Sequence, residues 1–411
     1  MADPVRTSDV RMRGFGQRTS VAAALAWLDQ QLATLPEEHV AVREAAGRVL
    51  AANVVSQRAL PPFRRAMMDG IALLASDSLN ATTEQPRRLQ LVGNVLPGRA
   101  FPDALISGQA VRIMTGAPLP DAADAVVPVE QLTFLDDRVL LTDVVSAGKH
   151  VGQVGEDVAI GATVLPAGRA LRPQDLGLLA AIGVIEVAVV RAPRVKIIVT
   201  GNELLPAGEA PQGYHIVDAN GPMLAALVRR DGGHPVVSGI VPDDRAAISA
   251  ALMEPVDITL VVGGSSVGLE DHAPQLLKQL GELAIHGIAM RPGGPTGLGR
   301  IGDRLVLLLP GNPVACLWAY DLFAGRAIRA LGGHAWEWPY RSLRLPLLEP
   351  IISQAGRLDC LRVRIHEQGV APLASAGASA LSAASQADGF IVVATEVAGH
   401  HAGEEVEIFC Y

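Results

Sequence analysis

The sequence is poor in aromatic and basic residues, and both shortages argue against a nucleic-acid-binding protein. Aromatic residues make up only 4% of the 411 residues, so the stacked rings that hold single-stranded nucleic acid are scarce. The formal net charge is −8 at pH 7, whereas nucleic-acid-binding proteins usually carry a basic face. We therefore expect no nucleic acid among the partners.

Cysteine and long apolar runs are also scarce. The three cysteines, Cys316, Cys360 and Cys410, lie too far apart for a zinc knuckle and are odd in number. We interpret them as reduced thiols of a cytoplasmic protein. The N-terminal stretch MADPVRTSDVRMRGFGQRTS lacks the apolar core of a signal peptide. The most apolar run, residues 176–190, is short for a membrane span and contains Glu186, so it predicts a buried core segment and no membrane partner.

The composition predicts a compact protein of several domains. Hydrophobic residues make up 49% and charged residues 18% of the chain, which is typical of globular proteins. A chain of 411 residues is too long for one ordinary core and predicts two to four domains. Among 34 basic residues only three are lysine, and the other 31 are arginine.

The pattern of apolar residues changes along the chain and predicts the class α/β plus β. Helical periodicity behind a Ser20 cap covers residues 20–34, and a second helical pattern covers 38–51. Short β-like runs broken by Pro and Gly begin near residue 61 and indicate a small barrel or sandwich. Residues 194–333 alternate strand and helix, which predicts a parallel sheet covered by helices. The tail from 336 to 411 has β-like runs that indicate a small β-barrel.

Polar loops follow four predicted strands of the α/β segment. Because the carboxyl ends of parallel strands share one edge of a sheet, these loops should meet where open α/β sheets bind ligands. The loops are Thr200-Gly201-Asn202-Glu203, Pro242-Asp243-Asp244, Gly263-Gly264-Ser265-Ser266-Val267-Gly268 with Asp271 behind it, and Pro310-Gly311-Asn312-Pro313.

The residue types in these loops favour a magnesium and phosphate site. Glu203, Asp243 and Asp271 would repel one another unless a cation lay among them or protons were shared, and an incomplete set of oxygen ligands suits Mg²⁺ bound together with substrate phosphates. The glycines allow close backbone approach, and their N–H groups can hold an anion. Each feature also has a purely structural interpretation: a Gly-Gly pair is usually a turn, the acidic residues can cap helices, and Asn-Pro is a common helix start.

Nine short motifs, taken together and in order, resemble the molybdopterin molybdenumtransferases of the MoeA and gephyrin E-domain type. They extend over nearly the whole chain at spacings that need few gaps. The motifs are MDG (68–70), RIMTGAP (112–118), GED (155–157), TGNEL (200–204), DAN (218–220), GGSSVG (263–268), RPG (291–293), LPGNP (309–313) and GRLD (356–359).

The resemblance implies an elongated multidomain protein with a MogA-like parallel-sheet domain. On this basis we expect a linker domain (residues 1–60 with 150–190), a β-rich inserted domain (61–149), an α/β molybdopterin-binding domain (191–335) and a C-terminal β-barrel domain (336–411). It also implies a homodimer whose active site lies between subunits, with a molybdopterin adenylyltransferase and molybdoenzyme clients as further partners.

The implied activity is the Mg²⁺-dependent insertion of molybdate into adenylylated molybdopterin, with release of AMP. The resemblance assigns catalytic roles to Asp69, Thr115, Asp157, Glu203, Asp243 and Asp271, of which Glu203, Asp243 and Asp271 would bind the metal. It assigns substrate binding to Asp218, Gly263, Gly264, Ser265, Ser266, Arg291, Pro310, Pro313, Arg357, Arg362 and Ser379.

One loop departs from the family pattern. The family has a basic stretch of three lysines where this chain has residues 287–295, GIAMRPGGP. Arg291 keeps a positive charge, but Gly287 and Gly294 remove two. The resemblance places molybdate beside this loop, so molybdate capture should weaken unless arginines elsewhere replace the lost charges.

Two alternatives to the molybdenumtransferase activity therefore remain open. The loss of lysines favours a carrier paralogue that binds molybdopterin or the finished cofactor for one molybdoenzyme without inserting metal. An adenylyltransferase is a weaker alternative and would consume ATP. Under the enzyme hypothesis, changing Asp243 or Asp271 to Ala should abolish AMP release.

Overall fold

The computed structural model describes residues 18–264, 271–373 and 380–411. The chain divides into two compact units, each described separately below. The larger unit comprises Met1–Glu38, Gly47–Val49 and Val190–Tyr411, and the smaller unit comprises His39–Ala46 and Leu50–Val189. Within the described residues, no helix is both long and apolar enough to cross a membrane. All three cysteines are free thiols, as the sequence predicts.

The first half of the chain is mostly β-structure. Its elements are α1 Val21–Asp29, β1 Glu37–Ala41, β2 Val54–Val55, β3 Arg65–Ala66, β4 Gly70–Leu73, β5 Arg87–Val95, β6 Gln109–Ile113, β7 Ala125–Pro128, β8 Leu132–Leu135, β9 Arg138–Leu141, β10 Val151–Gly152, β11 Thr163–Leu165, α2 Pro173–Ala181 and β12 Glu186–Val190.

The inserted β-structure is one six-stranded sheet in the order β7-β4-β6-β5-β9-β8. Strands β5 and β6 run parallel, and the other neighbours are antiparallel. Successive side chains of β4 point to opposite faces, so Ile71 and Leu73 enter one buried cluster while Ala72 enters another. The sequence predicts a barrel or sandwich for this insert, but the described strands form a single sheet that is covered on both faces.

The helix predicted for residues 38–51 is wrong. The chain there forms β1, which pairs with β12, and then a short 3₁₀ turn at Val42–Glu44. Val42, Ala45 and Leu50 do reach a core, together with Leu179 of α2. A short apolar run does not by itself distinguish helix from strand, and here the long-range pairing with β12 decides the outcome.

The second half begins with the α/β segment. Its elements are β13 Arg194–Thr200, β14 Leu204–Leu205, β15 Ile216–Val217, α3 Asn220–Arg230, β16 His234–Val241, α4 Arg245–Leu252, β17 Ile258–Val262, α5 Ala273–Leu280, β18 Glu282–His286, β19 Met290–Arg291, β20 Gly297–Ile301, β21 Arg304–Leu309, α6 Pro313–Ala319 and α7 Gly325–Leu331.

These elements form a six-stranded mixed sheet in the order β16-β13-β17-β21-β20-β18. Strands β16, β13, β17 and β21 are parallel, as the alternation of strand and helix predicts, and β20 and β18 add an antiparallel edge. Apolar residues of α1, including Ala24 and Leu28, are buried in the same core as β13, β17 and β21. The last predicted helix forms, with a π-helical turn at Tyr320–Ala324 between α6 and α7.

The C-terminal strands close into a barrel, as predicted. They are β22 Arg341–Pro346, β23 Ile351–Ile352, β24 Leu358–His366, β25 Gly369–Pro372, β26 Gly389–Val393, β27 Gly399–His400 and β28 Glu405–Cys410, with helix α8 at Leu381–Gln386. The order β25-β24-β26-β28-β22 returns on itself, because Leu347 just after β22 bridges Val370 in β25. Val363, Val370, Ile391 and Ile408 fill the interior.

A buried carboxylate holds the turn before α2 in the smaller unit. Asp175 is buried and accepts two hydrogen bonds from the Arg169 guanidinium, at 3.0 and 2.8 Å, and one from the Arg172 backbone N–H at 2.9 Å. The hydrogen bonds from Arg169 hold the pKa of Asp175 well below its ordinary value of 3.8, against the opposing effect of burial. Ionised Asp175 therefore stabilises the folded state.

We expect Asp175→Asn to lower the free energy of unfolding by about 2 kcal/mol at neutral pH, because Arg169 loses a charged partner at a buried position. Since the folded-state pKa is lowered, the stabilisation is complete above about pH 4 and is lost as the pH falls further. Denaturant titrations between pH 3 and 8, followed by circular dichroism, would measure this. The exposed pair Asp137–Arg138 supplies the control, and Asp137→Asn should cost less than about 0.5 kcal/mol. An equal effect of the two variants would contradict this account of Asp175.

Candidate active site

A cavity of about 400 Å³ opens at the carboxyl edge of the parallel strands in the larger unit. This volume is in the usual range for sites that bind small molecules. Three of the four polar loops predicted from the sequence contribute to its lining, namely those after β13, β17 and β21. The lining residues are Val199, Thr200, Glu203, Leu204, Ile216, Asn220, Val262, Gly263, Gly264, Asp271, Pro295, Pro310, Gly311 and Asn312.

The loops after β13 and β17 meet because Gly263 has no side chain. Its backbone has φ +87°, a left-handed conformation that favours glycine. A Cβ atom at Gly263 would overlap the carbonyl oxygen of Thr200, only 2.1 Å away. The next residue, Gly264, is also left-handed at φ +54° and lines the cavity. The two glycines thus allow close approach of the backbone, as the sequence predicts.

Two of the three predicted metal ligands line this cavity. Glu203 is exposed and Asp271 is half-buried, so both carboxylates lie near the cavity mouth. Pro310 also lines the cavity, and Pro313 starts helix α6 directly after it. The structure therefore brings Glu203, Asp271 and the Pro310 loop together at one site.

Asp243 is held by hydrogen bonds beside the cavity. One carboxylate oxygen accepts from the Thr200 hydroxyl at 2.5 Å, and the other accepts from the Asn202 backbone N–H at 3.0 Å. The Asn202 side chain accepts in turn from the Asp243 N–H at 3.2 Å. These bonds tie the loop after β16 to the loop after β13. Across residues 18–264, 271–373 and 380–411, no three acidic, histidine or cysteine residues are grouped closely enough to hold a metal ion.

Asp218 caps the helix that borders the cavity. Its carboxylate accepts the backbone N–H groups of Asn220 and Gly221, both at 2.9 Å, at the start of α3. Asn220 follows in the cavity lining, where its side-chain NH₂ donates to the carbonyl oxygen of Gly311 at 2.7 Å. In the sequence Asn220 is only the last residue of the DAN motif, and its place in the cavity lining depends on the long-range contact with Gly311.

The predicted substrate-binding arginines Arg291 and Arg357 converge on Asp359. Their guanidinium groups lie 2.9 and 3.3 Å from the buried carboxylate, which also accepts from the Ser353 hydroxyl at 2.7 Å. Pairing of Arg291 with Asp359 in register between β19 and β24 brings the two arginines together. Two cations on one anion leave a net positive charge. Arg362 lies three positions further along β24.

Gly287 and Gly294, where the resemblance leads us to expect lysines, both lie between β18 and β20. Gly287 has φ +91°, a conformation that residues with side chains rarely adopt. At Gly294 the space for a side chain is bordered by the Arg18 guanidinium, 3.7 Å from the position of a Cβ atom. Arg18 is held near this loop by the next residue in the chain, because the N–H of Thr19 donates to the Gly287 carbonyl oxygen at 3.0 Å. No sequence pattern indicates Arg18, since only the fold brings it to a loop some 270 residues away.

In the smaller unit the structure brings Asp69 and Thr115 together. One oxygen of Asp69 accepts both the backbone N–H and the hydroxyl of Thr115, at 2.6 and 2.7 Å. These bonds lower the pKa of Asp69, with the backbone contribution the larger. Asp157 is exposed in the turn behind Gly155, which has φ +71°. Ser265, Ser266 and Ser379, also predicted to bind substrate, lie outside the described residues.

Comparison with known proteins supports one family along the whole chain. Residues 19–183 match the family described as the MoeA N-terminal region (domain I and II). Residues 196–330 match a probable molybdopterin binding domain, and residues 344–410 match the MoeA C-terminal region (domain IV).

Individual proteins that align with this chain over nearly their whole length belong to the same family. The molybdopterin molybdenumtransferase 2 of Mycobacterium tuberculosis is 34% identical, over 90% of this chain and 94% of its own length. The molybdopterin molybdenumtransferase of Haemophilus influenzae is 32% identical, over 90% and 93% of the two chains. The crystal structure of a molybdopterin biosynthesis MoeA protein from Pyrococcus horikoshii superimposes with a TM-score of 0.78 at 30% identity, covering 96% of this chain and all of that one. The chain therefore belongs to the MoeA family, the molybdopterin molybdenumtransferases.

Proposed function

We propose that this protein is an enzyme of molybdenum cofactor biosynthesis that inserts molybdate into adenylylated molybdopterin and releases AMP, with Mg²⁺ bound at the cavity. The observation that supports this best is the grouping of Glu203, Asp271, Asn220 and the two glycines Gly263 and Gly264 around one cavity. Family membership supplies the substrate class, because two relatives over 30% identical bear the name molybdopterin molybdenumtransferase.

The burial of the lining residues agrees with such a substrate. Glu203 is exposed and Asp271 is half-buried, whereas Asn220 is only 8% exposed. Charged phosphates with a cation therefore fit near the mouth, where water helps to solvate them. A neutral ring fits deeper, between apolar side chains such as Val199 and Val262.

The donor set fits Mg²⁺ as an open site. Mg²⁺ is usually bound by one or two carboxylates together with substrate phosphates and water, so Glu203 and Asp271 suffice without a third acid. When bound, the ion would neutralise charge on the phosphate oxygens as the adenylate leaves. Asp243, through its bonds to Thr200 and Asn202, holds the loop that carries Glu203 in place.

The cations of the larger unit fit the binding of molybdate, an oxyanion with two negative charges. Arg291 and Arg357 share one aspartate, so their group keeps a positive charge. Arg18 adds a second cation beside Gly294, next to the cavity residue Pro295. We propose that Arg18 supplies the charge that the glycine at 294 removes.

The test of the proposed function is a turnover assay with purified protein, adenylylated molybdopterin, Mg²⁺ and molybdate. We expect release of AMP together with a cofactor that activates a molybdoenzyme lacking its own cofactor. Tight binding without AMP release would instead identify a carrier paralogue. Consumption of ATP with free molybdopterin would identify an adenylyltransferase.

Substitution of the carboxylates should separate binding of magnesium from loop positioning. Glu203→Gln and Asp271→Asn should each slow AMP release by about a hundredfold, and raising the Mg²⁺ concentration should restore part of it. Asp243→Asn should also slow the reaction and should lower the melting temperature, because the loop after β13 loses its ties. Rescue of Asp243→Asn by Mg²⁺ with an unchanged melting temperature would show that Asp243 is a metal ligand, as the sequence predicts.

Removal of Arg18 should weaken molybdate capture. We expect Arg18→Ala to raise the molybdate concentration for half-maximal turnover about three- to tenfold, and Arg18→Lys to raise it less, because a charged hydrogen bond is lost at an exposed site. Turnover at saturating molybdate should stay near the wild-type rate. Arg300→Ala is the matched control, since Arg300 is an exposed arginine of the same unit paired with Glu282. A molybdate dependence of Arg18→Ala equal to that of the control would contradict the role of Arg18.

We also propose a homodimer in which Asp69, Thr115 and Asp157 complete the site of the partner subunit. Asp69→Asn and Asp271→Asn should each be nearly inactive alone. In a mixture of the two, random reassociation gives hybrid dimers in half of the cases, each with one intact site, so about a quarter of the wild-type activity should return. A mixture that stays inactive although hybrid dimers form would contradict a shared site.

A further inference from the structure

A second cavity, of about 380 Å³, lies in the larger unit. Within the part of the chain that the structure describes, it shares no lining residue with the candidate active site. Four of its eight lining residues are aromatic, whereas aromatic residues make up only 4% of the chain. They are Trp336, Trp338, Tyr340 and Phe409. Tryptophan and tyrosine are prominent among the residues that dominate protein–protein binding energies, so their concentration here indicates a binding surface.

The aromatic walls of this cavity are held in place by the protein itself. The indole N–H of Trp338 donates to the carbonyl oxygen of Asp321 at 3.0 Å, and the Tyr340 hydroxyl donates to the Asp321 carboxylate at 3.0 Å. Trp338 also packs edge-on against Phe409, with ring centroids 4.8 Å apart. A cavity with fixed walls loses little conformational freedom when a ligand enters, which favours binding.

Trp336 stands at the rim of the cavity. It is 38% exposed, and its ring lies 5.1 Å from the Arg326 guanidinium. Leu25 of α1 and Leu322 of the π-helical turn add apolar surface to the same lining. A large ring that lines a cavity and remains exposed gains a favourable apolar contact when a ligand covers it.

The charged groups at the cavity leave one negative charge. Arg326 is already paired, since its guanidinium donates to both carboxylate oxygens of Asp29, at 2.7 and 2.8 Å. Glu337 is a further acid of the lining and is exposed. Behind the aromatic wall two cations and two anions pair with one another and add no net charge. They are Arg230, Asp231, Asp321 and Arg329. The excess charge of Glu337 favours a ligand that carries a cation.

From these observations we propose that the cavity is a docking site for a partner protein that presents an aromatic side chain followed by an arginine or lysine. The aromatic side chain packs against Trp338, Tyr340 and Phe409, while Glu337 and the Trp336 ring bind the cation. A volume of about 380 Å³ is at the lower end of the range for ligand sites, and it suits a single ring with its neighbour. This inference does not depend on the proposed function.

The test is isothermal titration calorimetry of the full-length protein with short peptides. The probe is acetyl-Gly-Phe-Arg-Gly-amide, for which we expect a Kd below about 1 mM. Replacing Phe in the probe by Ala should weaken binding about tenfold or more, because the cavity is left unfilled. Replacing Arg by Glu should weaken it about threefold or more, because a like charge then faces Glu337.

Two variants of the protein test the two halves of the site. Trp336→Ala should weaken binding of the probe about tenfold, and since Trp336 is exposed the melting temperature should stay near that of the wild type. Glu337→Lys should reverse the preference, so that the Glu probe binds more tightly than the Arg probe. Glu349→Lys is the matched control, because Glu349 is an exposed acid of the same unit outside the cavity lining, and it should leave the preference unchanged.

Four results would overturn the inference. One is the absence of binding by the Arg probe, and another is an equal response of the charge preference to Glu337→Lys and Glu349→Lys. Binding of phenethylamine as tightly as the Arg probe would instead indicate a site for small organic cations. Self-association that depends on Trp336 and persists in the presence of the probe would assign the surface to a second copy of this chain.

Discussion

The candidate site depends on the contact between the backbone of Gly263 and the carbonyl group of Thr200. Parallel strands end side by side, but their loops meet only if one backbone can pass directly over the next. A side chain at position 263 would overlap the Thr200 oxygen, and the left-handed backbone there adds a second penalty for any other residue. The loop after β21 is also close, since a Cβ atom at Gly311 would lie 3.9 Å from the Cα atom of Gly263. The loops around the cavity can thus approach one another because glycine occupies position 263.

Once the loops meet, the burial of each polar group determines what it can bind. The carboxylates of Asp243 and Asp218 are hydrogen-bonded to other groups of the protein. Asp243 ties the loop after β16 to the loop after β13, and Asp218 caps α3. Glu203 and Asp271 line the cavity and are more exposed, so water reduces the cost of a charge there. Asn220, whose amide is uncharged, is more buried than either acid, at 8% exposure. The site therefore runs from charged at the mouth to neutral inside, which matches a ligand with phosphates at one end and a heterocycle at the other.

Sequence patterns predicted the parallel strands because each is a buried apolar run that ends in a polar loop. The antiparallel strand β20 was missed because its sequence, GLGRI, contains two glycines, which are rare in strands. Gly299 is required there, since a Cβ atom would overlap the Glu282 carbonyl oxygen. The same limit applies to the site. Local sequence indicated which residues are polar and lie after strands, but whether Asp243 faces the cavity or a neighbouring loop depends on contacts that no local pattern contains.

The charge of the proposed oxyanion site shows this limit most clearly. An aligned motif assigns cations to fixed positions, so glycine at 294 indicates a lost charge. Electrostatic attraction depends on where the guanidinium lies in space and is indifferent to the position that supplies it. Arg18 reaches Gly294 from a segment that the bond between Thr19 and Gly287 holds in place. With 31 arginines and three lysines, the chain also supplies its cations in a form that binds oxyanions through two parallel hydrogen bonds. Under the proposed role of Arg18, the glycine at 294 therefore does not by itself imply loss of activity, because a guanidinium from another element lies next to that position.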